Sequence, residues 1–220
     1  MPDNQYTDVT MLLDRSGSMQ VIKSDIEGGF DAFIAEQRTQ PGVCKVSLAQ
    51  FDDQYEHVYA GLDVADVPPL DLQPRGSTAL LDAIGRVVRE TGERLDKLPE
   101  AERPKAVIVG IMTDGLENAS TEMTYPAVKA VIEAYEKGRG WVFTYMGANQ
   151  DAIEVGSAIG VQAGRAMTYD LGPKGASATM RGHSRLVTRA RLAAARDADD
   201  FDYGAAVVFT DAERQAAAGN

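Results

Sequence analysis

Residues 6–18, with the sequence YTDVTMLLDRSGS, decide the fold class of this chain of 220 residues. The apolar and β-branched run from Tyr6 to Leu13 does not alternate cleanly with polar residues, which is typical of a strand buried on both faces. The strand ends at Asp14, and apolar residues then recur at helical spacing from about Ser18 to Gln37. A buried strand that leads into a helix is the repeating unit of an α/β fold.

The same alternation of strand and helix continues along the chain. Further strands are predicted at residues 43–51, 56–62, 105–112 and 141–146, and helices at about 79–98, around 128–135 and from a cap at Asn149 to Ile159. The short polar segment 52–54 predicts a hairpin, so the third strand should be antiparallel to the second. These elements predict an α/β fold with a mostly parallel central sheet, one antiparallel edge strand and helices on both faces.

The length of the chain and the extent of this pattern predict a single domain. Residues 1–200 should form it, with the core at 6–169, an edge strand within 161–169 and a helix at about 177–196. Residues 201–220 are poorly periodic and are interpreted as a tail, in which the apolar residues 207–209 are available to dock on the core.

Charge and cysteine content limit the classes of partner and compartment. A formal net charge of −11 opposes non-specific binding to nucleic acids and anionic membranes, because both are themselves negative. The single cysteine, Cys44, excludes an intrachain disulfide and a cysteine-rich zinc site, and it favours a reducing compartment. Residues 1–6 lack the pattern of a signal peptide, and no apolar run is long enough to cross a bilayer. The sequence therefore predicts a cytoplasmic protein without membrane association.

Oxygen-bearing side chains follow two of the predicted strands. Asp14, Ser16 and Ser18 come directly after the first strand, and the run 113–115, Thr-Asp-Gly, comes after the strand at 105–112. Open α/β sheets place ligand sites at the carboxyl ends of such strands, so we expect the two aspartates to meet in one crevice. Carboxylate and hydroxyl oxygens suit Mg²⁺, with Mn²⁺ or Ca²⁺ as alternatives, whereas Zn²⁺ favours nitrogen and sulfur ligands.

These residues resemble a known motif. The pattern D-x-S-x-S at 14–18, Thr78 before a helix, and T-D-G at 113–115 resemble the metal-ion-dependent adhesion site (MIDAS) of von Willebrand factor A (VWA) domains. All five family positions are filled, and the stretch VFTYMGANQDA at 142–152 is similar to that of small stand-alone bacterial or phage members.

The resemblance implies a Rossmann-like fold and a role for each residue of the motif. Ser16, Ser18 and Thr78 would contact Mg²⁺ through hydroxyls, whereas Asp14 and Asp114 would act largely through bound water. An Asp or Glu of a protein partner would complete the coordination. The implied function is a non-catalytic, metal-dependent protein-interaction module.

The position of Thr78 gives the long loop 63–77 a purpose. The third strand runs antiparallel and leaves the chain at the opposite end of the sheet, so the loop must return to deliver Thr78 to the metal. Ser77 is the alternative ligand if the register differs by one residue. A rim that a partner would touch is predicted from loop residues at the same end, for each of which ordinary turn chemistry is the alternative reading. These residues are Asp52, Asp53, Ser77, Glu117, Asn118, Asn149 and Gln150.

A basic segment follows the motif. Residues 174–196 contain six lysines and arginines and no acidic residue, and Arg181, Arg185, Arg189 and Arg196 fall on one face of the predicted helix. This stripe either pairs with the protein's own acidic surface or forms a dock for an acidic partner. Nucleic-acid binding through the same stripe is a third hypothesis for function, which the overall negative charge disfavours.

An enzymatic alternative is a metal-dependent hydrolase acting on a phosphate or acyl ester through metal-bound water. A serine hydrolase would need a histidine beside Ser16 or Ser18, and neither His57 nor His183 is expected near the aspartates. No general base is evident, so the sequence predicts that the protein is not an enzyme.

Overall fold

The structure is a computed structural model, which describes residues 6–148, 151–172, 174–195 and 207–219. Within these residues six strands form one sheet in the order β3-β2-β1-β4-β5-β6. The strands are β1 (Thr7–Asp14), β2 (Cys44–Phe51), β3 (Tyr55–Asp63), β4 (Ala106–Thr113), β5 (Val142–Ala148) and β6 (Ala166–Tyr169). Only β3 pairs antiparallel to its neighbour, β2, as the hairpin predicts.

Helices cover both faces of the sheet. They are α1 (Lys23–Thr39), α2 (Leu80–Asp96), α3 (Tyr125–Arg139), α4 (Ala152–Ala158), α5 (Gly175–Ala194) and α6 (Asp211–Ala217), with short 3-10 turns at Gly17–Val21, Val64–Asp66, Glu100–Glu102 and Ala163–Arg165. Alternate residues of β1 point to opposite sides, so Met11 joins the core under α1 and α5, whereas Leu12 joins the core under α2, α3 and α4. The predicted fold class is confirmed.

Three local predictions are corrected. The first helix begins at Lys23 rather than near Ser18, because the chain first makes the 3-10 turn Gly17–Val21, which buries Met19 and leaves Val21 exposed. The cap of α4 is Asp151, whose Oδ1 accepts hydrogen bonds from the backbone N–H groups of Ile153 and Glu154 at 3.0 Å each, while Asn149 lies outside the described residues. The last strand is shorter than predicted, because residues 163–165 form a 3-10 turn before β6.

The carboxyl-terminal segment 207–219 packs on β6 and α5. Val207, Phe209 and Ala217 are buried in the same core as α1 and α5. The backbone N–H of Asp170 donates to the carbonyl of Ala217 at 3.0 Å, which ties the segment to the end of β6. In the part of the chain that the structure describes, no helix has the length and apolar content required to span a membrane.

Candidate metal site

The two aspartates of the motif lie at one edge of the sheet because β1 and β4 are parallel neighbours. Leu13 pairs with Met112, so both strands end at the same level. The Thr113 hydroxyl donates to Asp14 Oδ2 at 2.5 Å, and the backbone N–H of Ser16 donates to Asp14 Oδ1 at 2.6 Å. Asp14 is fully buried, so its orientation is fixed by the ends of two strands.

A row of oxygen atoms leads from this buried carboxylate to the surface. The hydroxyl oxygens of Ser16 and Ser18 lie 3.1 Å apart, and the Ser18 hydroxyl donates to Asp114 Oδ1 at 2.8 Å. Ser16 is buried and Ser18 is exposed. Side-chain oxygens from the loops after β1 and β4 therefore converge at a point that solvent can reach.

Thr78 arrives at this point from the long loop between β3 and α2. A methyl group placed on Gly115 would lie 3.6 Å from the Thr78 hydroxyl oxygen and 3.9 Å from the Ser18 hydroxyl oxygen, so these two oxygens flank Gly115. Asn118 Oδ1 accepts a hydrogen bond from the Thr78 backbone N–H at 2.9 Å. Thr78 is buried at the site, whereas Ser77 is exposed.

Backbone contacts hold the loop in place. The N–H of Gly17 donates to the carbonyl of Gly76 at 3.2 Å, and the N–H of Arg75 donates to the carbonyl of Arg15 at 2.8 Å. Gly76 has a φ of +67°, a conformation that favours glycine, and a Cβ there would lie 2.2 Å from Asp53 Oδ1. Glycine at this position therefore lets the loop backbone approach Gly17 closely.

Burial makes both carboxylates costly to ionise. It raises the pKa of Asp14 to about 6, although the hydrogen bonds from Thr113 and Ser16 act in the opposite direction. Burial also raises the pKa of Asp114, against the hydrogen bond from Ser18. Among the described residues, no Lys, Arg or His forms an ion pair with either carboxylate. A site with negative charge and no cation of its own is suited to bind one.

The donor set tests whether a metal fits. Two carboxylates and three hydroxyls converge, all of them oxygen ligands of the kind that hard divalent cations prefer. Within the described residues, no group of three or more His, Cys, Asp or Glu side chains is placed to hold a metal ion. The present site has two carboxylates, and its remaining oxygen ligands are hydroxyls.

The structure corrects part of the predicted rim. Asp52 is fully buried and accepts hydrogen bonds from Arg15 Nε at 2.9 Å and Arg75 Nε at 2.8 Å, so the prediction that a partner touches it is wrong. Both arginines and the backbone N–H of Gln54 lower the pKa of Asp52, outweighing its desolvation. Asp52 stabilises the loops behind the metal site instead of facing a partner.

Glu117 also has a structural role that the rim prediction missed. Its Oε2 accepts a hydrogen bond from the Leu81 backbone N–H at 2.9 Å, and its Oε1 accepts one from the Ala119 N–H at 2.8 Å. Both carboxylate oxygens therefore hold the loop after β4 against the start of α2. Asp53, Ser77 and Asn118 are exposed at this end, whereas Asn149 and Gln150 lie outside the described residues.

The structure decides between the two interpretations of the arginine stripe at Arg189. Arg189 donates to Glu213 Oε1 at 2.9 Å and to the carbonyl of Val208 at 2.7 Å, so it binds the protein's own carboxyl-terminal segment and is not a dock. Arg181 and Arg185 are exposed, and Arg196 lies outside the described residues. The continuous basic face expected of a nucleic-acid interface is therefore shortened.

Neither histidine lies at the site, in agreement with the sequence analysis. His57 Nδ1 is 2.9 Å from Glu90 Oε2 on the outer side of β3. His183 is fully buried beneath the sheet, where a Cβ on Gly110 would lie 2.9 Å from its ring. Trp141 is buried in the core under α2 and α3.

Solved structures share this arrangement of strands and helices. Proximal thread matrix protein 1 from the mussel byssus, in a structure with a zinc-occupied MIDAS motif, matches with a TM-score of 0.57 and 16% identity, over 84% of this chain and 46% of its own. A von Willebrand factor type A structure from Catenulispora acidiphila matches with a TM-score of 0.55 and 17% identity, over 86% of this chain and 43% of its own. The chain has a von Willebrand factor A fold.

A third structure with this fold matches over nearly its whole length. The vWF domain of the type V pili tip protein Mfa5 from Porphyromonas gingivalis matches with a TM-score of 0.58 and 11% identity, over 82% of this chain and 94% of its own. The present chain thus spans less than half the length of the mussel and Catenulispora structures and nearly all of the Mfa5 domain. No family model and no curated protein matches the sequence.

Proposed function

We propose that this VWA-fold chain is a non-catalytic interaction module that binds a divalent cation and, through it, an acidic residue of a protein partner. The residues that would hold the cation are Asp14, Ser16, Ser18, Thr78 and Asp114. The observation that carries the proposal is the pair of desolvated carboxylates, Asp14 and Asp114, joined to exposed hydroxyl oxygen at Ser18 without a neighbouring cation.

The charge of this site favours binding an outside acid. The three hydroxyl ligands that would contact the ion are neutral, and the two aspartates would act largely through bound water. The ion would therefore keep enough positive charge to attract a carboxylate to an open position. Val21 and Leu116 are 79% and 60% exposed and follow Ser18 and Asp114 closely in sequence. Their apolar side chains would flank the bound carboxylate and provide the contact area that an isolated acid lacks.

The choice of metal is part of the proposal. Oxygen ligands favour Mg²⁺, with Mn²⁺ and Ca²⁺ as alternatives. The mussel protein with zinc in its MIDAS motif shows that Zn²⁺ belongs in any comparison of metals at this fold. We also propose a cytoplasmic bacterial or phage protein, a context in which the buried free thiol of Cys44 would remain reduced.

A hydrolase remains the alternative class, but no observation favours it. His57 is committed to Glu90 and His183 is enclosed under the sheet, so neither is placed to act as a general base at Ser16 or Ser18. Arg15, the charged residue nearest in sequence to Asp14, is paired with Asp52 and Glu56.

The test measures metal binding and partner binding separately. Isothermal titration with Mg²⁺, Mn²⁺, Ca²⁺ and Zn²⁺ should give one site per chain, and Asp114→Ala should abolish it. The matched control is Asp66→Ala, which removes an exposed carboxylate at the opposite end of the sheet. Partners captured from host extract with Mg²⁺ should be lost with chelator and with Asp114→Ala only. Capture that is indifferent to chelator and to both substitutions would contradict the proposal.

A further inference from the structure

Tyr169 reaches the metal site from behind. It ends β6, and its ring is 1% exposed in the core between the sheet and α1 and α5. Its hydroxyl donates to the backbone carbonyl of Thr113 at 3.1 Å. The two β5 residues that lie between the strands at this level are Gly147 and Ala148, whose small size leaves room for the ring.

The carbonyl that accepts this hydrogen bond belongs to Thr113, which contacts one aspartate of the site and directly precedes the other. Thr113 is the last residue of β4 and the last one paired with β5, so the sheet no longer restrains the chain beyond it. Its hydroxyl donates to Asp14 Oδ2 at 2.5 Å. The next residue is Asp114, whose Oδ1 accepts from Ser18 at 2.8 Å.

We infer that Tyr169 is a positioning residue for the metal site, in which its hydroxyl fixes the Thr113–Asp114 peptide and thereby aims both aspartates. The inference rests on the proposed function. The tyrosine is itself held rigidly, because β6 pairs with β5 and the N–H of Asp170 donates to the carbonyl of Ala217 at 3.0 Å. A fixed donor on a buried ring is the kind of outer support that keeps metal ligands in position.

Loss of the hydroxyl should weaken metal binding without removing a ligand. Residues that support metal ligands typically change metal affinity by about 10- to 100-fold when mutated. Tyr169 makes one neutral hydrogen bond to the backbone, so we expect the low end of that range, a rise of about tenfold in the Kd for Mn²⁺. The number of sites per chain should stay the same, because Asp14 and Asp114 remain.

The experiment compares Tyr169→Phe with Tyr6→Phe in the full chain. Tyr6 is the matched control, because its buried hydroxyl donates to Asp8 Oδ2 at 2.7 Å at the other end of the sheet. Mn²⁺ is titrated while its electron paramagnetic resonance spectrum and the Kd are recorded, and thermal unfolding is measured in chelator. Both variants lose a buried hydrogen bond and should unfold at lower temperature, but only Tyr169→Phe should raise the Kd and alter the spectrum of bound Mn²⁺.

The outcomes separate this inference from the proposed function. If Tyr169→Phe lowers the unfolding temperature while its Kd stays within twofold of the parent chain, Tyr169 is only a core residue and the inference is wrong. If the parent chain itself binds no Mn²⁺, the proposed function fails and the inference falls with it. Should Tyr169→Phe not fold in buffer, the same titrations of the parent chain and both variants are run in sucrose, which stabilises the folded state.

Discussion

Replacing Asp14 with asparagine removes its charge while keeping its shape, and so it tests the electrostatics of the site directly. Burial raises the pKa of Asp14 from 3.8 to about 6, so the folded protein holds this proton more tightly than the unfolded chain does. The Asp14 carboxyl therefore does not lower the free energy of unfolding at pH values below 3.8, and it lowers this free energy progressively as the pH rises from 3.8 through 6. A shift of about two pKa units corresponds to about 3 kcal/mol at neutral pH.

The asparagine should fit without leaving a donor unsatisfied. Its Oδ1 can accept from the Ser16 N–H, as Asp14 does at 2.6 Å. Its NH₂ group can donate to the Thr113 hydroxyl oxygen, because that hydroxyl has a second acceptor, the Gly115 carbonyl, 3.1 Å away. In chelator at pH 7.5, Asp14→Asn should therefore raise the free energy of unfolding by up to about 3 kcal/mol.

Bound metal should cancel most of this difference in stability. A ligand present at 100 times its Kd stabilises the folded state by about 2.7 kcal/mol, and the parent chain should gain this amount with Mg²⁺. Asp14→Asn should gain little, because the negative charge that attracts the ion is gone. A variant that is more stable without metal and indifferent to metal is the signature of a site built at the expense of stability.

The assay is urea unfolding followed by the fluorescence of Trp141, the single and buried tryptophan. Curves are recorded between pH 4.5 and 8, with chelator and with Mg²⁺. The matched control, Asp53→Asn, removes an exposed carboxylate nearby and should change nothing. The reasoning is refuted if Asp14→Asn is less stable than the parent in chelator at pH 7.5, or if the difference between them does not shrink as the pH falls below 6.

Three further predictions concern the fold around the site. Gly76→Ala should lower the free energy of unfolding by about 1–3 kcal/mol in urea unfolding, because the residue has positive φ and a Cβ there would meet Asp53 Oδ1. The control is Gly138→Ala on the exposed part of α3, which should be tolerated because a Cβ there meets nothing within 4 Å. Burial lowers the pKa of His183 to about 4, so the neutral histidine does not lower the free energy of unfolding above pH 6.5, and this stability is lost as the pH falls toward 4, by about 3 kcal/mol. His183→Leu should abolish this loss in acid-unfolding curves. An unchanged acid profile would count against the prediction. Arg189→Ala should speed hydrogen exchange in α6 and leave α3 unaffected, since it removes the ion pair with Glu213; equal protection of α6 in variant and parent would show that apolar packing alone holds the segment.

The strands could be predicted closely because their patterns are local. The continuous apolar run at 105–112 became β4 at Ala106–Thr113, shifted by one residue. The strands β1, β4 and β5 are buried along their whole length, so their continuous apolar sequences identify them. The start of α1 was predicted wrongly because a 3-10 turn and an α-helix have similar spacings of apolar residues. Whether residues 17–21 form one or the other depends on the contact of Gly17 with the distant Gly76.

The convergence of Asp14 and Asp114 was equally predictable, since parallel strands end at the same edge of a sheet. The role of Asp52 was not. Its burial depends on two arginines, Arg15 and Arg75, that come from separate loops, and a pairing of three charges over sixty residues leaves no periodic pattern. The sequence left two interpretations of Arg189 open for the same reason, because its partner Glu213 belongs to a helix 24 residues away.

The pairing of Arg15 also explains how the site keeps its negative charge. Arg15 directly follows Asp14, and a free guanidinium at that position would be the natural counter-ion for either aspartate. Instead it is almost fully buried, with Nε on Asp52 at 2.9 Å and another nitrogen on Glu56. Because Asp52 and Glu56 satisfy the arginine, no cation from the described residues pairs with Asp14 or Asp114. The acidic residues behind the site thus leave its negative charge available for the proposed metal, which gives the buried charge network a purpose beside the two aspartates.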